Sequence, residues 1–377
     1  MVFGGILMKF SCEQQKLAKA LNVVSKAVTS RTTIPILKGI MLEVSSDGKL
    51  IMSASDLDIS IQDTIEVNDA EEGSVIVMAK LFGDIIRKLP NTDINIACDE
   101  DNNVVINCMN SEFKIVGMST DEFPNVNIIS EETTSINFNK STFRKMIDKT
   151  AFAASVDESR GVITGVLVEL EADQINMVAI DGYRMAITRN AMINTSQQKM
   201  IISAKILSEI SRILGDIDSD EEDGTLFLSE KKAVFKFDNI QAELRLIDGE
   251  FIKYKDILPK DNKISAVINK SQLLESIERA SLLSKVGKNN LVKMAIEDTL
   301  MTITSNSEEG NVKEELPIYK EGENLTIGFN AQYMLDVLKA IDDEDVKMMF
   351  NSSITPCLVE PCDGTSFEYL VLPVRIN

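Results

Sequence analysis

SASDLDISI (53–61), VAIDGYRMAI (178–187) and ITSNSEEGNV (303–312) decide how this chain is read, because Asp56, Asp181 and Asn306 stand 125 residues apart each time. Each segment ends or follows an alternating apolar run: KLIMSAS (49–55), INMVAI (175–180) and LMTITS (300–305). That is the period-2 pattern of a half-buried strand. A second set keeps the spacing: VIVMAKLFGDIIRKL (75–89), MIISAKILSEISRIL (200–214) and LTIGFNAQYMLDVLKAI (325–341), with Lys80, Lys205 and Asn330 in step. Each reads as a short apolar strand running into a helix of about ten residues with apolar positions at helical spacing.

Each repeat also opens with a helix. NKSTFRKMIDKTAFAAS (139–155) and NKSQLLESIERASLLS (269–284) share the NKS start, and CEQQKLAKALNVVSKAV (12–28) is the first copy. Ser141 and Ser271 are the expected N-caps. A period this long implies whole domains rather than a solenoid. The reading is α+β, with three similar domains of helix, strands, helix, strands at 1–129, 130–260 and 261–377. The boundaries lie in the polar stretches Ser130–Ser135 and Asp261–Lys263. MVFGGIL (1–7) has no basic region or small-residue cleavage site and reads as an extension ahead of Met8.

Of 377 residues, 44% are apolar and 26% charged, the balance of a globular protein with a core. No apolar run reaches the roughly 18 residues of a membrane span. The five cysteines are odd in number, contain no C-x-x-C and meet no histidine, so reduced thiols in a cytosolic protein are expected and a zinc site is not. No P-loop, dinucleotide fingerprint or H-E-x-x-H occurs, and the commonest general base is absent, so no catalytic residue and no cofactor is expected. The acidic runs 218–223 and 342–345 read as solvated loops rather than metal sites, lacking the ligand alternation of a calcium loop.

A net charge of −20 argues, taken alone, against nucleic acid. Its distribution reverses that. The helix windows 13–27, 79–89, 139–154, 203–214, 269–286 and 330–341 hold sixteen Lys or Arg against seven Asp or Glu, a net of +9, so the remainder carries −29. In the second window Phe82, Ile85 and Leu89 share the apolar face, with Lys80 and Arg87 opposite, and Lys205 and Arg212 repeat that pair. Lys19 and Lys26 face away from Leu17, Leu21 and Val24, as Lys145 and Lys149 do from Phe143 and Ile147. Any one such face is ordinary solvated surface; its recurrence in separate repeats points to duplex backbone contact. Lacking Trp and with five Tyr, the chain offers little to stack unpaired bases.

Several stretches in order resemble the bacterial DNA polymerase III beta subunit family, the sliding clamps: RTTIPILKGIMLEV (31–44), DEFPNV (121–126), IDGYRMA (180–186), DGEFIKYKDILP (248–259), FNAQYMLDVLKAI (329–341) and YLVLPVRIN (369–377). The resemblance runs from Met8 to Asn377. It implies a head-to-tail homodimeric ring of six domains, helices inside and sheets outside. Such a ring encircles double-stranded DNA without sequence preference as a polymerase processivity factor. The implied partners are a second copy, the replicative polymerase catalytic subunit, the clamp loader and repair proteins carrying a clamp-binding peptide. The alternative is a repeat-built peptide scaffold that never meets DNA.

Carried over motif by motif, the resemblance assigns a peptide groove to Ile163, Ile180, Gly182, Tyr183, Arg184, Met185, Ile252 and Ile257, with Asn330, Tyr333, Ile354, Leu370, Val371, Leu372, Pro373, Val374 and Arg375. Ile252, Asp256 and Pro356 depart from the family pattern there. It assigns DNA contact to Arg31, Arg87 and Arg160, to which the helix faces add Lys19, Lys26, Lys80, Lys145, Lys149, Lys205, Arg212 and Arg279. It places the ring seam at Phe113 and Ile115 against Leu282 and Leu283, four residues that would otherwise read as core.

Overall fold

The computed structural model describes residues 6–29, 31–124, 134–192, 197–216, 223–285 and 290–376. The first repeat runs β1 (Ile6–Glu13), α1 (Gln14–Val24), β2 (Gly39–Val44), β3 (Lys49–Ser55), β4 (Ile59–Glu66), β5 (Asn68–Glu71), β6 (Gly73–Met78), α2 (Ala79–Lys88), β7 (Asp93–Asp99), β8 (Asn103–Cys108) and β9 (Ser111–Val116). The second runs β10 (Thr134–Asn139), α3 (Lys140–Asp148), β11 (Gly165–Leu170), β12 (Gln174–Ile180), β13 (Arg184–Ala191), β14 (Gln198–Ser203), α4 (Ala204–Asp216), β15 (Asp223–Leu228), β16 (Lys232–Phe237) and β17 (Ile240–Arg245). The third runs β18 (Ile264–Asn269), α5 (Lys270–Ser284), β19 (Leu291–Glu297), β20 (Leu300–Ser307), β21 (Gly310–Pro317), β22 (Tyr319–Glu321), β23 (Leu325–Asn330), α6 (Ala331–Lys339), β24 (Asp345–Phe350), β25 (Cys357–Pro361) and β26 (Phe367–Val371).

Contacts gather these elements into two compact units, Met1–Ser141 with Ile213–Leu246 and Thr142–Arg212 with Ile247–Asn377. The first unit holds a five-stranded sheet, β5-β1-β7-β8-β9, and an eight-stranded sheet, β10-β15-β16-β17-β4-β3-β2-β6. The second holds a nine-stranded sheet, β14-β11-β12-β13-β26-β25-β24-β18-β22, and a four-stranded sheet, β21-β20-β19-β23. The larger sheets cross repeat boundaries. β17 of the second repeat pairs with β4 of the first, Leu244 opposite Ile59, and β13 pairs with β26 of the third, Met185 opposite Leu370. Helices cover one face of the sheets: α1 packs on β4 and α2, and α5 on β20, β21 and α6. Their apolar stripes are buried, Leu17, Leu21 and Val24 in α1 and Leu273, Ile277 and Ala280 in α5, which is what makes short helices stable in water.

The alternating strands and the six helices lie where the sequence placed them, with five differences. A strand precedes each opening helix, carrying alternate buried residues such as Met8, Phe10 and Cys12. In the third repeat the cap of the opening helix is Asn269, not Ser271: its side chain accepts from the Gln272 N–H at 3.1 Å. In α2 the buried stripe is Ala79, Phe82, Gly83 and Ile86, while Ile85 is half-exposed. Asn330 caps α6 through the Gln332 N–H at 2.9 Å, so its structural counterparts are Met78 and Ser203 at the ends of β6 and β14 rather than Lys80 and Lys205. Finally, Asp56 and Asp181 each open a turn, whereas Asn306 lies within β20, which runs into a tight hairpin with Ser307 opposite Gly310. The stretch 130–133, most of the acidic run 218–223 and residues 1–5 lie outside the described residues.

Candidate partner groove and nucleic-acid interface

The groove residues assemble around the β12–β13 turn in the second unit. Asp181 organises that turn: its Oδ1 accepts the N–H groups of Tyr183 and Arg184 at 2.8 and 2.9 Å. Gly182 takes φ 92°, open to glycine at little cost, and a Cβ there would lie 3.1 Å from the Arg160 guanidinium. Arg184 then turns back into the protein. It donates to Asp181 Oδ2 at 3.1 Å, to the Phe152 carbonyl at 2.8 Å and to the Asp336 carboxylate on α6. Its guanidinium lies 4.7 Å from the Tyr333 ring centroid, close enough for a cation–π contact. Tyr183 stacks on Tyr333 at 5.9 Å and 22°. One arginine therefore fixes both the turn and the ring against which the exposed tyrosine rests.

Beneath the turn lies an apolar floor. Ile163, Ile180, Met185 and Leu370 are buried in one cluster with Leu167, Tyr254, Met349 and Leu358, and Val162, Ile247, Phe251 and Leu258 pack against it. Other assigned residues are exposed: Tyr183 at 57%, Ile354 at 74%, and Ile252, Ile257 and Leu372 between 37% and 40%. The Leu372 N–H donates to the Tyr183 carbonyl at 2.9 Å, so the C-terminal segment extends the β13–β26 pairing beside the turn. Further along, the Val374 N–H donates to Gly328 on β23 at 2.8 Å. Pro373 and Val374 are half-buried and Arg375 is exposed. A closed apolar floor together with exposed apolar residues suits capture of a short peptide.

The structure divides the groove assignments by role. Val371 does not join the floor: it is fully buried, and as the neighbour of Leu370 on β26 it points to the opposite face. Asn330 is half-buried and spends its side-chain oxygen on the α6 cap. Floor residues that sequence reasoning missed are Tyr254, Met349, Leu358 and Phe251. Alternation along β25 and the spacing of Phe251, Tyr254 and Leu258 carried that signal. The Tyr254 hydroxyl donates to buried Glu169, which also pairs with Lys199 at 2.7 Å. Burial and that carboxylate hold the phenol protonated far above its usual range.

The basic residues also divide. Lys19, Arg31, Lys80, Arg87, Lys145, Lys205 and Arg212 are exposed, and Arg87 and Arg212 bridge to carboxylates one turn back, Asp84 and Glu209. Lys26 is largely covered and pairs with Asp216 at 2.8 Å. Lys149 pairs with Asp342 at 2.8 Å and Arg279 with Glu314 on β21 at 2.7 Å. Arg160 donates to the Asp181 carbonyl, which sets it at the groove turn. Of the seam residues, Leu282 is 69% and Phe113 39% exposed, while Ile115 and Leu283 are half-buried. The five cysteines are free thiols, and burial pushes Cys12 up to about 12.

Three repeats of this order, with basic helices over antiparallel sheets, have the build of a DNA clamp. Comparison with known proteins agrees over the whole length. The N-terminal, central and C-terminal domains of the DNA polymerase III beta subunit match residues 8–127, 137–253 and 255–375. The beta sliding clamp of Staphylococcus aureus is 33% identical, covering 98% of this chain and 100% of that protein. The sliding clamp structure from Bacillus subtilis superposes with a TM-score of 0.92 at 33% identity, over 98% of this chain and 100% of that one. A DNA polymerase III beta subunit structure from Eubacterium rectale gives 0.91 at 34%, over 97% and 99%. The chain belongs to the DNA polymerase III beta subunit family. Its function is that of a DNA sliding clamp, the processivity factor of a replicative polymerase, rather than a scaffold that never meets DNA.

Proposed function

We propose that two copies close head to tail into a ring around duplex DNA, with domains at 1–129, 130–260 and 261–377. The observation that carries this is a pair of open sheet edges. β9 ends the five-stranded sheet and β21 ends the four-stranded sheet. Exposed strand edges normally invite pairing, and these alternate charges suited to each other, Glu112 and Lys114 on one, Lys313, Glu314 and Glu315 on the other. Phe113 on the first edge and Leu282 on α5, which packs on the second, are exposed apolar residues that such a pairing would cover.

Inside the ring the exposed lysines and arginines of α1 to α4, with Arg31, meet phosphates. Contacts of this kind are weak, screened by salt and blind to sequence, so topology holds the ring and the contacts let it slide. The chain performs no chemistry. Its groove takes the short peptides of the polymerase catalytic subunit, the clamp loader and repair proteins, and it works in the cytoplasm on nucleoid DNA. Among the described residues no helix is long and apolar enough to cross a membrane.

The test is retention after loading. Protein loaded on closed circular DNA should stay bound through high salt and be lost when the circle is linearised. Binding by charge alone falls steeply with salt on both substrates; equal loss from circle and line refutes the ring.

A further inference from the structure

The turn that carries Tyr183 is built a second time, in the first unit, with the opposite chemistry. Asp56 closes it as Asp181 closes the other: its Oδ1 accepts the N–H groups of Asp58 and Ile59 at 3.0 and 2.9 Å. Leu57 takes φ 79° where Gly182 takes 92°. The Arg245 N–H donates to the Asp58 carbonyl at 2.9 Å, as the Leu372 N–H does to Tyr183 at 2.9 Å. Ser60 lies opposite Glu243 where Met185 lies opposite Leu370. Position by position, Asp58 replaces Tyr183, Arg245 replaces Leu372 and Glu243 replaces Leu370. The copy opens on a cleft of about 330 Å³.

Two features of this cleft have no role in the core. Leu57 is 59% exposed and sits at a positive φ that a bulky side chain adopts at a cost. Beside it the cleft is lined by Lys231, Lys232 and Arg245 against Asp58 and Glu243, a positive balance on a chain of net −20. Lys232 and Glu243 neutralise each other at 2.7 Å, while Lys231 and Arg245 are exposed.

We propose that this cleft is a second peptide site, taking a short acidic segment whose one apolar side chain packs on Leu57 while its carboxylates meet Lys231 and Arg245. The Tyr183 site serves only as the geometric template, so the two can fail separately. A concave site with an apolar anchor and two cations fits a peptide better than duplex DNA, whose phosphates would leave Leu57 unused.

The probe is a fluorescein-labelled Asp-Glu-Leu-Asp-Glu peptide, titrated against the full chain by anisotropy, with a short duplex DNA in parallel. The double variant Lys231→Ala/Arg245→Ala should weaken peptide binding at least fivefold, and Leu57→Gly, which keeps the turn as Gly182 does, at least threefold. Arg245→Lys should largely retain it, and raised salt should weaken it. Because the three side chains are exposed, melting temperatures should stay within a degree or two of the wild type. The proposal is overturned by any of four results. The probe does not bind at millimolar chain; the double variant binds it unchanged; a Lys-Lys-Leu-Lys-Lys peptide binds equally well; or the double variant loses only the duplex. Deleting Pro373–Asn377 should leave the probe unaffected, and equal loss on that deletion would place it in the other groove and also overturn the proposal.

Discussion

Replacing Leu282 by aspartate tests the ring at one point. Leu282 lies in the last turn of α5 with 69% of its surface exposed, so the charge costs the isolated chain little. At a closed seam the same residue is covered. Burying a leucine fully is worth about 1.5–3 kcal/mol, and the 69% of Leu282 left to be covered sets its loss at about 1–2 kcal/mol. An unpaired carboxylate left in a dry interface adds several kcal/mol. Together these reach about 4–5 kcal/mol per seam, and each 1.4 kcal/mol is tenfold in affinity, so each seam weakens by about three orders of magnitude or slightly more. A ring has two seams and loses that amount at both. Leu283 is half-buried within its own chain, so substituting it as well would confuse folding with assembly. Light scattering at micromolar protein should show Leu282→Asp as a monomer of 41.8 kDa and the parent chain at twice that mass, with matching circular dichroism and thermal melts. A variant that stays dimeric, or a parent chain that is monomeric, refutes the reasoning.

Arg184→Met should lower stability by about 2–4 kcal/mol, because its side chain is 11% exposed and its loss takes the cationic partner from two carboxylates, Asp181 and Asp336; urea unfolding giving under 1 kcal/mol would contradict the network described for it. Deleting Pro373–Asn377 should cut binding of a groove peptide at least tenfold while unfolding free energy falls by only about 1–2 kcal/mol, chiefly the Val374–Gly328 hydrogen bond and its packing; full-strength peptide binding, or loss of the third repeat's fold, would count against the groove. Buried Asp63 on β4 is raised from 3.8 to about 6, first by burial and then by Asp238. The folded chain therefore holds this proton more tightly than the unfolded one, and the stability so gained is present below about pH 4 and lost as pH rises through about 6. Asp63→Asn should remove that loss, at most about 3 kcal/mol, so its melting temperature should exceed the parent's more at pH 7.5 than at pH 4.5; an equal difference at both would show that Asp63 does not titrate there.

Strands and helices were legible because their periods are local: KLIMSAS became β3 residue for residue. Cross-repeat pairing was not, since nothing in the spacing of β13 says that its free edge meets β26 rather than solvent. The constant interval of 125 residues misled at Asn330, because insertions on either side of the β20–β21 hairpin, which itself keeps the length of β12–β13, add up to two residues. In the groove, the exposed residues were visible in Tyr183, Ile354 and Leu372, apolar residues in turns and at the tail. The floor was hidden, because Leu358 and Met349 look like any strand interior until β25 and β24 are placed under the turn. The sum of charge on the helices was legible, but the ion pairs of single residues were not. A helical wheel gives the direction of Lys26 or Arg279, but not that Asp216 or Glu314 waits there from a distant part of the chain.

The pairing of β17 with β4 and of β13 with β26 means that the central repeat owns neither of its borders. Excised alone, it would carry two raw edges, each a template for indiscriminate association. A chain shortened by a terminal repeat would strip the survivor of a strand partner along five residue pairs on either side. Loss of one third of the chain would therefore leave something sticky rather than something smaller.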